Sequence, residues 1–311
     1  MKKLFLILVI GLFLLGCASE ISHPALEKKF TTDKLKVVTT FYPVYDYAVK
    51  VGGDKAEVKI MTPPGLNAHS LEPTPSDIIL LNKADVIVYN GPYFEIWARD
   101  TFEGLSNKNV KIVSVGEVVT LLDTPEGIRE SLGPIDPHTW LTAKNAVLQV
   151  RAIEKAFNEK DPNNAEYYKQ NADSFVLELE QLHSDYVNTL KTCERREIFV
   201  SHFAFGYMAR EYTLEQIPII NNYEPSGEVS LQDIDRLVKS AKEKNAKYVF
   251  AETAVDPKLS EAIARQVNAK VLFFTPMEAY TQEDLETNIG YIGIMKKNLS
   301  VLKEALTCGN N

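Results

Sequence analysis

The hydrophobic pattern predicts two series of alternating strands and helices. Short apolar runs bounded by turn residues, each followed by a helical pattern, are typical of parallel sheets covered by helices. The predicted strands are residues 36–40, 58–61, 84–89 and 110–115, followed later by 197–200, 248–251 and 271–274. The sequence therefore predicts an α/β fold with two lobes, each with a mainly parallel sheet and flanking helices.

A long helical pattern separates the two series. It begins near residue 143 and is interrupted at Asp161-Pro162. After the interruption, apolar residues recur at helical spacing: Phe175, Leu179, Leu182 and Tyr186. A helix over residues 163–191 would be about 42 Å long, which is enough to span a domain. We therefore predict one long rigid helix that joins the lobes.

The first residues are typical of an export signal. Lys2 and Lys3 precede an apolar run, residues 4–15, that is too short to span a membrane and has signal-peptide length. Gly16-Cys17 follows and resembles a bacterial-type lipobox, which predicts cleavage before Cys17 and lipid attachment to its thiol. Attached acyl chains would hold the protein on the membrane, facing the periplasm or the cell exterior. The alternative is a plain secretory signal with a chance cysteine.

These patterns divide the chain into five predicted segments. They are a signal peptide (1–16), a lipidated tether (17–33), an N-terminal α/β lobe (34–142), a helical linker that contains the long helix (143–192) and a C-terminal α/β lobe (193–311). The tether is predicted from residues 18–33, which are polar and aperiodic, a composition typical of flexible segments.

Composition and charge are those of an ordinary globular protein with an acidic surface. Hydrophobic residues make up 45% of the chain and charged residues 24%, with a formal net charge of -8. The acidic balance argues against nucleic acid as a partner, and we expect a monomer. Cys193 and Cys308 follow the lipobox cysteine. Outside the cytoplasm two thiols in one protein often pair, so a disulfide between them is one possibility and two separate thiols are the other.

Three histidines follow predicted strands or begin predicted helices. They are His69, His138 and His202. In open α/β sheets, ligands bind beyond the carboxyl ends of the strands, so all three can face one crevice between the lobes. Three imidazole nitrogens and one further ligand complete the tetrahedron that Zn²⁺ prefers. By contrast, His183 lies in the middle of the long predicted helix and is not expected to bind metal.

The three histidines lie in longer motifs that occur in the same order as in a known family. The motifs are His69-Ser70-Leu71-Glu72-Pro73-Thr74-Pro75-Ser76-Asp77, Asp136-Pro137-His138-Thr139-Trp140 and Ser201-His202-Phe203-Ala204-Phe205-Gly206-Tyr207. Over residues 35–306 the chain resembles the zinc- and manganese-type metal solute-binding lipoproteins of ABC importers (periplasmic solute-binding protein family 9, cluster A-I). The resemblance implies one divalent metal ion between two lobes and delivery of that ion to an ABC transporter permease.

The resemblance also implies a ligand set. His69, His138 and His202 match the family's first three ligands. Members with a carboxylate at the third position are associated with manganese, so His202 favours zinc, with manganese or iron as alternatives. The loop at 117–135 contains no histidine, unlike the His-rich loop of many zinc-type members, so no auxiliary metal-scavenging loop is expected.

The fourth ligand departs from the family pattern. The usual Asp corresponds to Thr275, whose hydroxyl is a poor zinc ligand. Glu278, three residues later, is a tentative fourth ligand; a water molecule is the alternative, and Glu224 or another carboxylate is a third. Glu224 and Glu252 are expected to orient the ligand imidazoles or to lie where the lobes meet.

Two other functional classes are compatible with these features. A zinc hydrolase also uses three histidines and a metal-bound water, but it needs a general base, and no His-Glu-x-x-His motif is present. A metal-dependent adhesin would also be a lipid-anchored surface protein, although nothing in the sequence indicates one. We therefore expect a transport protein that is not an enzyme.

Overall fold

A computed structural model describes residues 23–126, 133–223, 229–253 and 256–309. In these residues the predicted α/β fold with parallel sheets and flanking helices is confirmed. None of the described helices is long and apolar enough to cross a membrane. Cys17 and Glu224 lie outside the described residues.

The first lobe is built on a four-stranded parallel sheet. Its strands are β1 (Leu35–Thr39), β2 (Ala56–Ile60), β3 (Val86–Tyr89) and β4 (Lys111–Ser114), in the order β2-β1-β3-β4. Helices α1 (Tyr42–Gly52), α2 (Pro75–Asn82) and α3 (Ala98–Glu103) connect them. The strand order reverses between β1 and β3, and open α/β sheets bind ligands beyond the carboxyl ends of the strands at such a point.

Two helices follow the first lobe. They are α4 (Ala143–Lys160) and α5 (Ala165–Leu190). Proline lacks an amide hydrogen and breaks a helix, which explains the interruption at Pro162. Helix α5 has 26 residues and is therefore about 39 Å long. Its buried side chains belong to one continuous core that also includes residues of both lobes, so α5 fixes the lobes to a common support.

The second lobe contains two pairs of parallel strands. They are β5 (Glu197–His202) with β6 (Glu215–Ile220), and β7 (Tyr248–Ala251) with β8 (Lys270–Phe273). The helices are α6 (Gly206–Tyr212), α7 (Leu231–Glu243), α8 (Lys258–Val267), α9 (Gln282–Glu286) and α10 (Gly290–Ala305). Strand β6 is not among the strands predicted from the sequence, and it contains Pro218 opposite Val200. A proline cannot donate to a ladder, and it is tolerated on an outer strand.

The described part of the expected tether packs against the first lobe. Ala25 is buried, and Lys59 Nζ donates to the Pro24 carbonyl at 2.8 Å. The Thr32 amide donates to the Glu57 carboxylate at 2.8 Å. Residues 23–33 are therefore held by backbone and side-chain hydrogen bonds, and the expectation of a flexible tether is wrong for them. Polar composition alone did not reveal these specific partners.

Cys193 and Cys308 are joined by a disulfide with a sequence separation of 115 residues. Cys193 precedes β5, and Cys308 follows α10. The bridge therefore closes the second lobe at the amino end of β5, whereas His202 lies at the carboxyl end of the same strand.

Candidate metal centre

His69 is positioned by a short turn after β2. It lies in a 3₁₀ turn, Ala68–Ser70, where the Asn67 side chain accepts a hydrogen bond from the His69 amide at 2.9 Å. Pro75 then starts α2, and Thr74 and Asp77 form a capping box there. Because α2 has a well-defined start, the turn before it is fixed. The Phe94 ring packs edge-on against the His69 imidazole, with 4.4 Å between ring centroids.

His138 is fully buried and held by the carboxylate two residues before it. Asp136 Oδ1 accepts from the His138 amide at 3.0 Å and from ring Nδ1 at 2.8 Å. A carboxylate can only accept here, so the hydrogen lies on Nδ1 and Nε2 points into the crevice. The role of Asp136 was missed in the sequence analysis, although the Asp-x-His spacing is a signal for it.

The loop that carries His138 is anchored at the strand-order reversal of the first sheet. Asn90 donates to the Pro137 carbonyl at 2.7 Å and accepts from Thr139 Oγ1 at 2.6 Å. Glu95 accepts from the Asn90 amide at 3.0 Å and is itself buried. Burial raises the pKa of Glu95 to about 7, although the hydrogen bonds that its carboxylate accepts lower it. This buried polar network keeps the His138 loop in place.

His202 is the last residue of β5 in the second lobe, and a carboxylate holds its ring as Asp136 holds the ring of His138. Its Nδ1 makes a short hydrogen bond to Glu252 Oε1, and Glu252 directly follows β7. Both side chains are buried. Glu252 therefore lies against the His202 imidazole, and it directs Nε2 of His202 into the crevice.

Glu278 brings the three imidazoles together. Its Oε1 lies 2.8 Å from His138 Nε2, 3.0 Å from His202 Nε2 and 3.6 Å from His69 Nε2. The four potential ligand atoms lie within 4.8 Å of one another. Trp140 Nε1 donates to the Pro276 carbonyl at 2.7 Å, which helps hold the Glu278 loop. Three nitrogens and one oxygen therefore converge on one buried point, a donor set that suits tetrahedral Zn²⁺.

Electrostatics divide the three histidines into two groups. Burial lowers the pKa of His202, but the Glu252 and Glu278 carboxylates raise it well above its ordinary value. Burial also lowers the pKa of His138, and Asp136 and Glu278 bring it above its ordinary value. For His69, burial outweighs Glu278 and the pKa is lowered. His69 therefore holds a proton less readily than His138 and His202 do, and at those two rings a cation competes with protons.

Glu278 stays ionised in this surrounding. Burial raises its pKa, but the imidazoles of His202, His69 and His138 bring it well below its usual range. A buried anion that faces three imidazoles attracts a cation strongly, because little water screens it.

Two other predicted positions lie apart from this group. Thr275 Oγ1 accepts from the Met277 amide at 3.0 Å, so its hydroxyl shapes the loop before Glu278. His183 lies on α5, with Nδ1 3.3 Å from Tyr212 Oη, and is not among the four grouped residues.

The two-lobe fold and the buried group of three histidines and one carboxylate define the class of metal solute-binding proteins. The sequence matches the family described as ZnuA, zinc-uptake complex component A periplasmic, over residues 37–305. The chain belongs to the ZnuA family.

Relatives with known names agree with this assignment. The chain is 33% identical over 311 residues to the high-affinity zinc uptake system protein ZnuA of Bacillus subtilis, covering 97% of each protein. It is 29% identical over 314 residues to the zinc-binding lipoprotein AdcA of Streptococcus pneumoniae. That match covers 98% of this chain and 61% of AdcA, so AdcA is the longer protein.

Solved structures show the same fold. The metal-dependent lipoprotein YcdH from Bacillus subtilis has a TM-score of 0.78 at 34% identity, covering 88% of this chain and 100% of that one. The Zn(II)-bound ZnuA-like domain of Streptococcus pneumoniae AdcA has a TM-score of 0.76 at 28% identity, covering 88% and 99%. The laminin-binding protein Lbp of Streptococcus pyogenes has a TM-score of 0.77 at 32% identity, covering 88% and 99%.

Proposed function

We propose that this protein captures zinc outside the cytoplasm and delivers it to an ABC import permease, with His69, His138, His202 and Glu278 as the four ligands. The observation that carries the proposal is the convergence of three Nε2 atoms and Glu278 Oε1 within 4.8 Å. Relatives named for zinc uptake and zinc binding support the choice of metal.

The donor set favours zinc over manganese. Imidazole nitrogen suits Zn²⁺, whereas Mn²⁺ prefers oxygen ligands and a higher coordination number. With Glu278 as the fourth ligand, a tetrahedral ion has no position left for a reactive water. This arrangement supports solute binding rather than hydrolysis, since a catalytic zinc keeps an open position.

Capture and release require a path between the lobes. His69 has a 6% exposed side chain, whereas His138 has 0%, so the ion would enter and leave past His69. The core shared through α5 supports a small shift of the lobes rather than a wide hinge movement. Docking to the permease would then distort the site and release the ion.

Anchoring and assembly complete the proposal. Lipid attached at Cys17 would keep the protein on the outer face of the membrane, where it works as a monomer with a permease. Relatives described as lipoproteins support this location. We also propose the domain division given by the sequence, except that residues 23–33 join the N-terminal lobe.

The test is zinc binding by the full chain and four variants. His69→Ala, His138→Ala, His202→Ala and Glu278→Gln should each weaken zinc binding about 10-fold or more in competition titrations. His183→Ala, on α5, is the matched control and should bind like the parent. If all four variants bound zinc like the parent, the ligand assignment would be wrong. Elemental analysis of protein purified without added metal, followed by zinc against manganese and iron competition, tests the metal.

Adhesion is a second candidate function. A similar solved structure is that of a laminin-binding protein of Streptococcus agalactiae, described as bifunctional with adhesin and metal transporting activity, with a TM-score of 0.76 at 31% identity. The test is binding of the zinc-loaded protein to immobilised laminin, with metal-free protein as the comparison. Saturable binding would support adhesion, and its absence would reject it.

A further inference from the structure

The two carboxylate oxygens of Glu278 have different partners. Oε1 faces the three imidazoles, at 2.8 Å from His138 Nε2. Oε2 accepts a hydrogen bond from Asn67 Nδ2 at 2.9 Å. Asn67 lies two residues before His69, in the first lobe, whereas Glu278 lies in the second. One amide therefore contacts the carboxylate from across the crevice.

The side-chain oxygen of Asn67 fixes the orientation of the Asn67 side-chain amide. Asn67 Oδ1 accepts from the His69 amide at 2.9 Å. A backbone N–H can only donate, so the oxygen of the side-chain amide must face it, and the NH₂ group must face Glu278. The backbone strengthens this link, because the Ala68 amide donates to the Glu278 carbonyl at 2.9 Å. Asn67 is thus held at both ends of its side chain.

We propose that Asn67 is a positioning residue that restricts Glu278 to one-oxygen coordination and thereby favours zinc over manganese. The inference rests on the proposed function, in which Glu278 is the fourth ligand. Three imidazoles and one carboxylate oxygen give the four-coordinate geometry that suits Zn²⁺. A carboxylate that offers both oxygens gives five ligands and more oxygen, which suits Mn²⁺ better. A hydrogen bond that engages Oε2 opposes the second arrangement.

The test variant is Asn67→Ser. A serine hydroxyl keeps an acceptor for the His69 amide, as at helix N-caps, but is too short to reach Glu278, and it adds no charge. The matched control is Asn171→Ser, since Asn171 Nδ2 also donates a hydrogen bond, to the Val51 carbonyl at 3.0 Å, from α5. The parent chain and both variants are compared by zinc and manganese competition titrations and by the visible absorption spectrum of the Co²⁺-loaded protein.

The proposal expects a selective change in Asn67→Ser. The ratio of zinc to manganese affinity should fall about tenfold, the size of effect seen when a partner of a metal ligand is removed. The Co²⁺ bands should weaken as the ion goes from four to five ligands, while Asn171→Ser keeps the parent ratio and spectrum. An unchanged Co²⁺ spectrum in Asn67→Ser would overturn the proposal. This holds whether the zinc and manganese affinities stay constant or fall by the same factor. A parent chain that binds no zinc would instead overturn the proposed function.

Discussion

Gly206, at the start of α6, lies directly against the carboxylate of Asp136, so that a β-carbon at this position would overlap with Asp136 Oδ2. Gly206 belongs to the second lobe, whereas Asp136 belongs to the loop that carries His138 in the first. Because Gly206 in the second lobe has no side chain, there is room for Asp136, which orients the candidate ligand His138 in the first lobe.

Gly206→Ala should therefore disturb the metal centre from a distance. The added methyl group must displace Asp136 and with it the His138 ring, which we expect to weaken zinc binding about 10-fold and to lower the free energy of unfolding by about 1–3 kcal/mol. Gly104→Ala is the control, since its β-carbon would meet backbone oxygens at 3.4 and 3.5 Å, an ordinary contact distance. Calorimetric zinc titration and thermal unfolding of both variants measure the two effects. Parent-like zinc affinity in Gly206→Ala would show that the Asp136 position is not critical.

Removing the charge of a carboxylate that holds a ligand imidazole should weaken zinc binding almost as much as removing a ligand. Asp136→Asn keeps an oxygen for the His138 amide but removes the charge that faces ring Nδ1. Glu252→Gln removes the charge that faces ring Nδ1 of His202. We expect each variant to lose about 10- to 100-fold in zinc affinity with little loss of stability. Competition against a chelator of known affinity measures this, and an unchanged affinity would mean that packing alone orients the rings.

Zinc binding should release protons and weaken in acid. The pKa values of His138 and His202 are raised by Asp136, Glu252 and Glu278, so below these values both rings hold protons that zinc must displace. Zinc affinity should therefore rise with pH until these groups have lost their protons, and the number of protons released should fall over the same range. Calorimetric titrations in buffers of different ionisation enthalpy count the protons. Affinity that does not change with pH would contradict the protonated state of the free site.

Loss of the Cys193–Cys308 disulfide should destabilise the protein and spare the site. A bridge across a separation of 115 residues restricts the unfolded chain, and we expect its removal to cost about 2–4 kcal/mol of unfolding free energy. The double variant Cys193→Ser with Cys308→Ser should keep its zinc affinity, because the bridge lies at the opposite end of β5 from His202. Denaturant unfolding and zinc titration separate these effects. A large loss of zinc affinity would mean that the bridge also sets the position of β5.

The sequence predicted those parts of the fold and site that are encoded locally. The α/β alternation and the long helix follow from short-range hydrophobic spacing, and the histidines lie in continuous motifs. Glu278 was only a tentative ligand, because its approach to His138 depends on how the second lobe's loop packs against the first. The helical pattern over 283–306 predicts one closing helix, but the structure has two, α9 and α10, because the chain turns where φ is 49° at Asn288 and 63° at Gly290.

The sequence did not reveal the contacts between residues that are distant in the chain. Strand β6 contains a proline, so this segment can form a strand only because it lies in an outer position beside β5. Asn67 is an ordinary polar residue in the sequence, and its role depends on Glu278, a partner that is distant in the sequence. Hydrogen bonds of this kind have no periodic pattern, so they need coordinates to be recognised.

The packing of residues 23–33 on the first lobe has a consequence for how the protein would meet a permease. If lipid is attached at Cys17, six peptide steps connect the bilayer surface to His23, and six steps reach at most about 20 Å. The first lobe then stays within one protein diameter of the membrane, and its search for a permease takes place in two dimensions. A high local concentration of carrier would follow from this short connection, so weak docking would be enough for frequent encounters and fast departure.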